Sequence, residues 1–126
     1  VMHMLKDSED HPQEIKEVYF SSIKPCVVKG WKKHNVFTQY LAAASGEMLF
    51  VILDLRQNSP SFGQVNERVI GPENHQLVVV PPGVWYGFKG LSETPGVLVV
   101  CATGEHDPKE AENCPVDSFN QYYEWK

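Results

Sequence analysis

The chain has 126 residues, of which 42% are hydrophobic and 11% aromatic, and a formal net charge of −5. That length suits one domain closing one core, and the composition is too apolar for a disordered chain. The acidic balance argues against a binder of the nucleic-acid phosphate backbone, and the longest apolar runs, Met48 to Leu53 and Val97 to Ala102, are strand-sized where a membrane span needs roughly 20 residues.

In chain order, residues 1–13 are polar and expected to be mobile. They show no hydrophobic segment behind a basic start, so no secretory signal is visible. Glu14 to Glu17 could form a turn of helix, but the following Val18-Tyr19-Phe20 favours a strand. Short β-rich segments then recur at Val18–Ser21, Cys26–Trp31, Thr38–Ala44, Met48–Leu55, Gln64–Ile70, Gln76–Val80, Trp85–Phe88 and Val97–Thr103. The glycine and proline that turns require fall between them, as in Ser45-Gly46, Gly71-Pro72 and Pro81-Pro82-Gly83. Many short strands without long helices predict an all-β sandwich or closed barrel, one domain over 1–126. Residues 104–126 are acidic and irregular and end in Tyr122-Tyr123-Glu124-Trp125, an aromatic cluster expected to pack back on the barrel.

Three cysteines, Cys26, Cys101 and Cys114, show neither CxxC nor Cys/His spacing. They are read as reduced thiols of a cytoplasmic protein. Four of the eleven basic residues, Lys24, Lys29, Lys32 and Lys33, fall within ten positions, with His34 beside them. An acidic protein with one basic pocket suits a small anionic ligand, although Lys24 and Lys33 alone could equally protect a strand edge.

Lys32 and His34 lie two apart, so on a strand they share a face. With Gln39, Gly46, Pro81-x-Gly83 and Tyr86 they follow the spacing of the two cupin motifs, and the chain resembles that superfamily of jelly-roll barrels. Of the four positions that hold metal in such barrels, only His34 keeps a good ligand. An ammonium repels a cation and a neutral amide replaces a carboxylate poorly, so no metal site is expected. A metal-dependent oxygenase conflicts with Lys32 and Gln39 on the same ground.

Within the cupins, the stretch from about Glu17 to Trp125 resembles the nucleotide-sugar 3,5-epimerases that act on dTDP-4-keto-6-deoxyglucose. The resemblance runs through Glu17-Val18-Tyr19-Phe20-Ser21, Lys29-Gly30, Asp54-Leu55-Arg56, Ser59-Pro60-Ser61-Phe62-Gly63, Glu73-Asn74, Gly87-Phe88, Leu91-Ser92, Asp117 and Trp125. It implies a cupin-type jelly-roll, no cofactor, a homodimer, and a nucleotide-sugar as the small-molecule partner. It also implies that the family's catalytic histidine falls at Lys32, its enolate-stabilising lysine near Gln39, a second pocket histidine at Tyr86 and the acid tyrosine near Val100 or Cys101. Asp117 matches the aspartate that partners the base.

The expected catalytic set is therefore His34, Lys32, Tyr86 and Asp117. His34 serves as acid and base, or is a satisfied barrel histidine. Lys32 is a base if desolvation favours its neutral amine, and otherwise a fixed charge for an enolate, a phosphate or Asp117. Tyr86 donates to a substrate oxygen or fills the barrel mouth. Lys29, Gln39, Trp31 and Trp85 form the expected substrate-binding set, and Asp54 with Arg56 is expected to be a structural ion pair. The expected function is epimerisation or isomerisation of a nucleotide-linked 4-keto-6-deoxysugar. The alternative is a non-catalytic sugar-nucleotide-binding or assembly module on the same barrel.

Overall fold

From Glu17 to Ile23 the side chains of Val18, Phe20 and Ser22 face solvent while Tyr19, Ser21 and Ile23 turn inward, the period of two that a half-buried strand imposes. The computed structural model describes residues 1–6 and 14–126, so part of the expected mobile stretch lies outside the described residues. Among the described residues the elements are all strands: β1 (Glu17–Ile23), β2 (Val28–His34), β3 (Gln39–Ser45), β4 (Met48–Leu53), β5 (Val65–Ile70), β6 (Val78–Val80), β7 (Trp85–Gly90), β8 (Gly96–Ala102) and β9 (Ala111–Asn113). They form a four-stranded sheet, β1-β8-β3-β6, and a five-stranded sheet, β5-β4-β7-β2-β9. Every strand pairing is antiparallel. This is the expected jelly-roll.

Two apolar layers hold the sheets. The inner one, with Leu41, Met48, Phe50, Phe88, Leu98 and Val100, fills the space between them. Each such side chain stabilises the fold by about 1.5–3 kcal/mol when fully buried. The second lies on the outer face of the five-stranded sheet, where Trp31, Val51, Leu53 and Trp85 meet Phe119, Tyr123 and Trp125 of the C-terminal segment. Gly87 permits that close approach: a Cβ there would stand 2.9 Å from Trp125 Cζ2 and 3.0 Å from the Lys29 carbonyl oxygen.

Two elements differ from the sequence expectation. The second strand does not stop at Trp31 but runs to His34, with a register shift against β7 between Lys29 and Lys32. The irregular 104–126 segment contains β9, which pairs with β2 through Lys32–Asn113, Lys33–Glu112 and His34–Ala111. Ala-Glu-Asn is too short to carry a periodicity, so only the open edge of β2 specifies this strand.

The connection after β4 is held by Asp54, a buried carboxylate. It accepts from Arg56 N (2.9 Å), Nε (3.0 Å) and Nη2 (3.0 Å), and from the hydroxyls of Ser59 (2.7 Å) and Ser61. The Arg56 guanidinium first, then the Ser61, Arg56 backbone and Ser59 donors, outweigh burial and hold the carboxyl well below its usual value. Asp54 and Arg56 are thus the structural pair expected. Asp54→Asn should cost about 2 kcal/mol, because charged hydrogen bonds are lost. With the folded pKa below the unfolded value, the stabilisation is complete above the unfolded pKa of about 4 and fades as pH falls through the folded one. The gap in melting temperature between parent and variant should therefore narrow below about pH 4. A gap constant with pH would contradict this account.

Candidate functional site

β2 and β7 build one wall of the barrel interior. Lys32 and His34 face inward from β2, and Tyr86 of β7 is the register partner of Lys32. The facing sheet contributes Tyr19 from β1 and Gln39 from β3. Two adjoining cavities of about 200 and 170 Å³ lie between these walls and share Tyr19 and Lys32 in their linings. Lys29, Ser21 and Tyr86 line the first; His34, Gln39 and Glu110 line the second.

His34 is buried and its Nδ1 lies 2.6 Å from Glu110 Oε1. The other oxygen of Glu110 accepts the backbone N–H groups of Val36 and Phe37, each at 2.9 Å. Burial pushes the Glu110 carboxyl up, but the Phe37 and Val36 donors and the His34 ring outweigh it and leave it below its ordinary value. An ionised carboxylate only accepts, so Nδ1 carries the hydrogen that faces it. Nε2 lies 3.5 Å from the Tyr86 hydroxyl. Burial, followed by the adjacent Tyr19 phenol, raises the Tyr86 pKa far above the usual tyrosine value, so this phenol stays protonated.

The backbone of His34 is also anchored. Its carbonyl accepts the Gly83 N–H at 2.7 Å. Gly83 has φ +84°, and a Cβ there would stand 3.1 Å from Arg56 Cδ. Glycine supplies the left-handed turn and the space at once. The Asp54–Arg56 pair thereby supports the turn that holds His34.

Gln39 is 1% exposed, and neither atom of its amide has a hydrogen-bond partner among the described residues. Leaving a buried polar group unpaired costs about 1–3 kcal/mol. An amide so placed, lining a cavity beside an oriented imidazole, is available to a polar group brought in from outside. At the rim, the exposed Lys29 donates to the Ser22 carbonyl and lies 3.5 Å from Ser21 Oγ.

The structure gathers Lys32, His34, Gln39, Tyr86 and Lys29 around this space and places the other expected residues elsewhere. Asp117 is exposed in the turn after β9 and lines neither cavity; the carboxylate on the histidine is that of Glu110. Trp31 borders the first cavity, but it is fully buried and its indole N–H donates to the Val116 carbonyl at 3.1 Å. Trp85 packs under Phe119 and Lys33, with the Lys33 ammonium 5.0 Å from its ring centroid. Both tryptophans belong to the outer cluster, because odd and even positions of a strand face opposite sides. For the same reason Lys33 leaves the basic cluster and pairs with Glu112 at 3.0 Å.

Two site residues were missed by sequence reasoning. Glu110 sits in the run His106-Asp107-Pro108-Lys109-Glu110, which has no local pattern to mark it. Tyr19 was legible only as a strand residue. β8 carries no phenol near Val100 or Cys101, yet Tyr19 is the register partner of Val100 on the adjacent strand. Among the described residues no three His, Cys, Asp or Glu side chains converge as a metal-ligand set. The cupin ligand positions hold an ammonium, an imidazole, an amide and a phenol, which do not fit a divalent transition metal.

Comparison with known proteins bears on this site. The dTDP-4-dehydrorhamnose 3,5-epimerase family matches residues 6–125. The probable low-salt glycan biosynthesis epimerase Agl13 of Haloferax volcanii is 27% identical over 122 residues, 94% of this chain and 78% of its own length. The spore coat polysaccharide biosynthesis protein SpsL of Bacillus subtilis is 24% identical over 124 residues, covering 97% and 82%. Among solved structures, the dTDP sugar isomerase of Desulfovibrio desulfuricans G20 superposes with a TM-score of 0.89 at 38% identity, covering 94% of this chain and 76% of that one.

Proposed function

Because the chain belongs to the dTDP-4-dehydrorhamnose 3,5-epimerase family, we propose that it is a sugar-nucleotide epimerase acting on a nucleotide-linked 4-keto-6-deoxysugar in deoxysugar or polysaccharide biosynthesis. One observation carries the proposal: an imidazole oriented by a carboxylate shares a cavity with a buried amide that has no protein partner. Epimerisation beside a ketone needs a base for the C–H proton and donors for the oxygen that becomes an enolate. In this scheme His34 Nε2 is the base. The Gln39 amide and the Lys32 ammonium hold the enolate oxygen, and the Tyr86 hydroxyl donates to it. Lys29 at the rim meets the diphosphate through charge-assisted hydrogen bonds.

Incubation with dTDP-4-keto-6-deoxyglucose in D₂O tests the scheme. Deuterium should enter a carbon adjacent to the ketone. Binding of several 4-keto sugar nucleotides without exchange above background would leave only a sugar-nucleotide-binding module.

No helix among the described residues is long and apolar enough to cross a membrane. We place the reaction in the cytoplasm, where the unpaired thiols of Cys26, Cys101 and Cys114 stay reduced. We also infer a homodimer, joined through the outer face of the four-stranded sheet. Phe20 is 73% exposed there and Val18 56% on β1, with Val79 of β6 46% exposed, and exposed apolar side chains on one sheet face suit an interface. Phe20→Glu should halve the mass measured by light scattering. An unchanged mass for the variant, or a monomeric parent, would remove this interface.

A further inference from the structure

We infer that Glu17 and Asp107 form a specificity subsite that selects nucleotide sugars carrying an amino group on the sugar ring; the inference rests on the sugar-nucleotide reading above.

The two adjoining cavities differ in charge. The first is lined by Lys29 and Lys32 and by no carboxylate. The second is lined by the carboxylates of Glu17, Asp107 and Glu110, together with His34, His106 and Lys32. Lys32 belongs to both linings and marks the boundary between them. A diphosphate is drawn to the first cavity and repelled by the second. The sugar attached to it therefore enters the second, where the His34 ring lies.

The three carboxylates are not equally free. Glu110 is committed within the protein: Oε1 meets His34 Nδ1, and Oε2 accepts the N–H groups of Val36 and Phe37. Glu17 Oε2 accepts the His106 N–H at 2.7 Å, and Asp107 Oδ1 accepts the Lys109 N–H at 3.0 Å. One backbone bond thus steadies each side chain, and its second oxygen takes no donor among the described residues. Neither residue makes an ion pair among them. Glu17 from β1 and Asp107 from the loop after β8 therefore each contribute one free acceptor to the same cavity.

Gln39 points independently to a polar ligand group in this space. It is 1% exposed, it lines the same cavity, and its amide has no partner among the described residues. Its NH₂ donates to a sugar oxygen, which leaves its own oxygen to accept from a donor on the ring.

The free groups at this end are thus mainly acceptors, and three substituents meet them differently. A hydroxyl satisfies them as a neutral donor. An ammonium also offsets two carboxylates that nothing else pairs, so its hydrogen bonds are charge-assisted on both sides. A carboxylate supplies no donor and meets like charges. Lys32 repels an ammonium at the boundary, which places the amino group at the Glu17–Asp107 end.

The test is calorimetric titration with dTDP-glucose, its 2-amino and 3-amino analogues, and dTDP-glucuronate, with dTDP as the common reference. One amino analogue should bind about fivefold more tightly than dTDP-glucose, and the glucuronate about fivefold more weakly. In the double variant Glu17→Gln/Asp107→Asn the amide oxygens still accept from His106 and Lys109, but both charges are gone. Its affinity ratios among the four sugars should collapse to within about twofold. Ratios are taken within each protein, so a general loss of folding or of nucleotide affinity cancels. No gain from either amino group in the parent, or a preference that survives in the double variant, would overturn the subsite and leave the epimerase reading standing. Failure of dTDP and of every dTDP sugar to bind the parent would remove the sugar-nucleotide reading and the subsite together.

Discussion

His34→Asn should abolish deuterium exchange on a 4-keto sugar nucleotide, a loss of about 10²–10⁴-fold, with the sugar nucleotide still bound. Asparagine keeps a polar group beside Glu110 but offers no nitrogen lone pair that accepts a proton. Glu110→Gln separates orientation from chemistry. Glu110 anchors Nδ1 at 2.6 Å and takes the Val36 and Phe37 N–H groups, so an amide there loosens the orientation of the ring. Its rate should fall by about 10- to 100-fold, short of the loss on removing a general base. Lys32, Tyr86, His106 and Asp107 face the same space and are unchanged in the variant. If Lys32→Ala proves more damaging than His34→Asn, the base is the lysine and the roles proposed for the two residues are exchanged.

Trp31→Ala should produce the largest change in stability. The side chain is fully buried, with ring centroids 5.3 Å from Trp125, 5.8 Å from Phe119 and 6.2 Å from Tyr123. Truncating a buried tryptophan costs about 3–5 kcal/mol, and at this chain length that lowers the melting temperature by roughly 10–20 °C. The damage should begin at the C-terminal segment, whose Phe119, Tyr123 and Trp125 all pack on this indole. Limited proteolysis should cut between residues 115 and 126 before the barrel unfolds. A fall of less than about 3 °C would show that the outer cluster is not what seats this segment. The variant also tests the expectation that Trp31 binds substrate: sugar-nucleotide affinity should change little below the new melting temperature, because the indole faces away from Lys32 and His34.

The sequence by itself determined the barrel and the composition of one wall of the site. Short β-rich segments such as Val18–Ser21 and the apolar run Met48–Leu53, punctuated by turn residues, specify strands because they are too short for helices and are bounded by glycine and proline. The two-residue spacing of Lys32 and His34 puts both on one face, and the motif around Pro81-x-Gly83 brings Tyr86 beside them. The tertiary structure decided what no period of two can express. Periodicity says which residues share a face, not which face borders a cavity and which is covered. Trp31 and Trp85 thus serve the outer cluster, where the C-terminal aromatics cover them. Glu110 reaches His34 across 76 positions of chain, and Tyr19 faces it from the other sheet. Such partners are set by how the two sheets stack, a long-range geometry for which the local sequence carries no spacing.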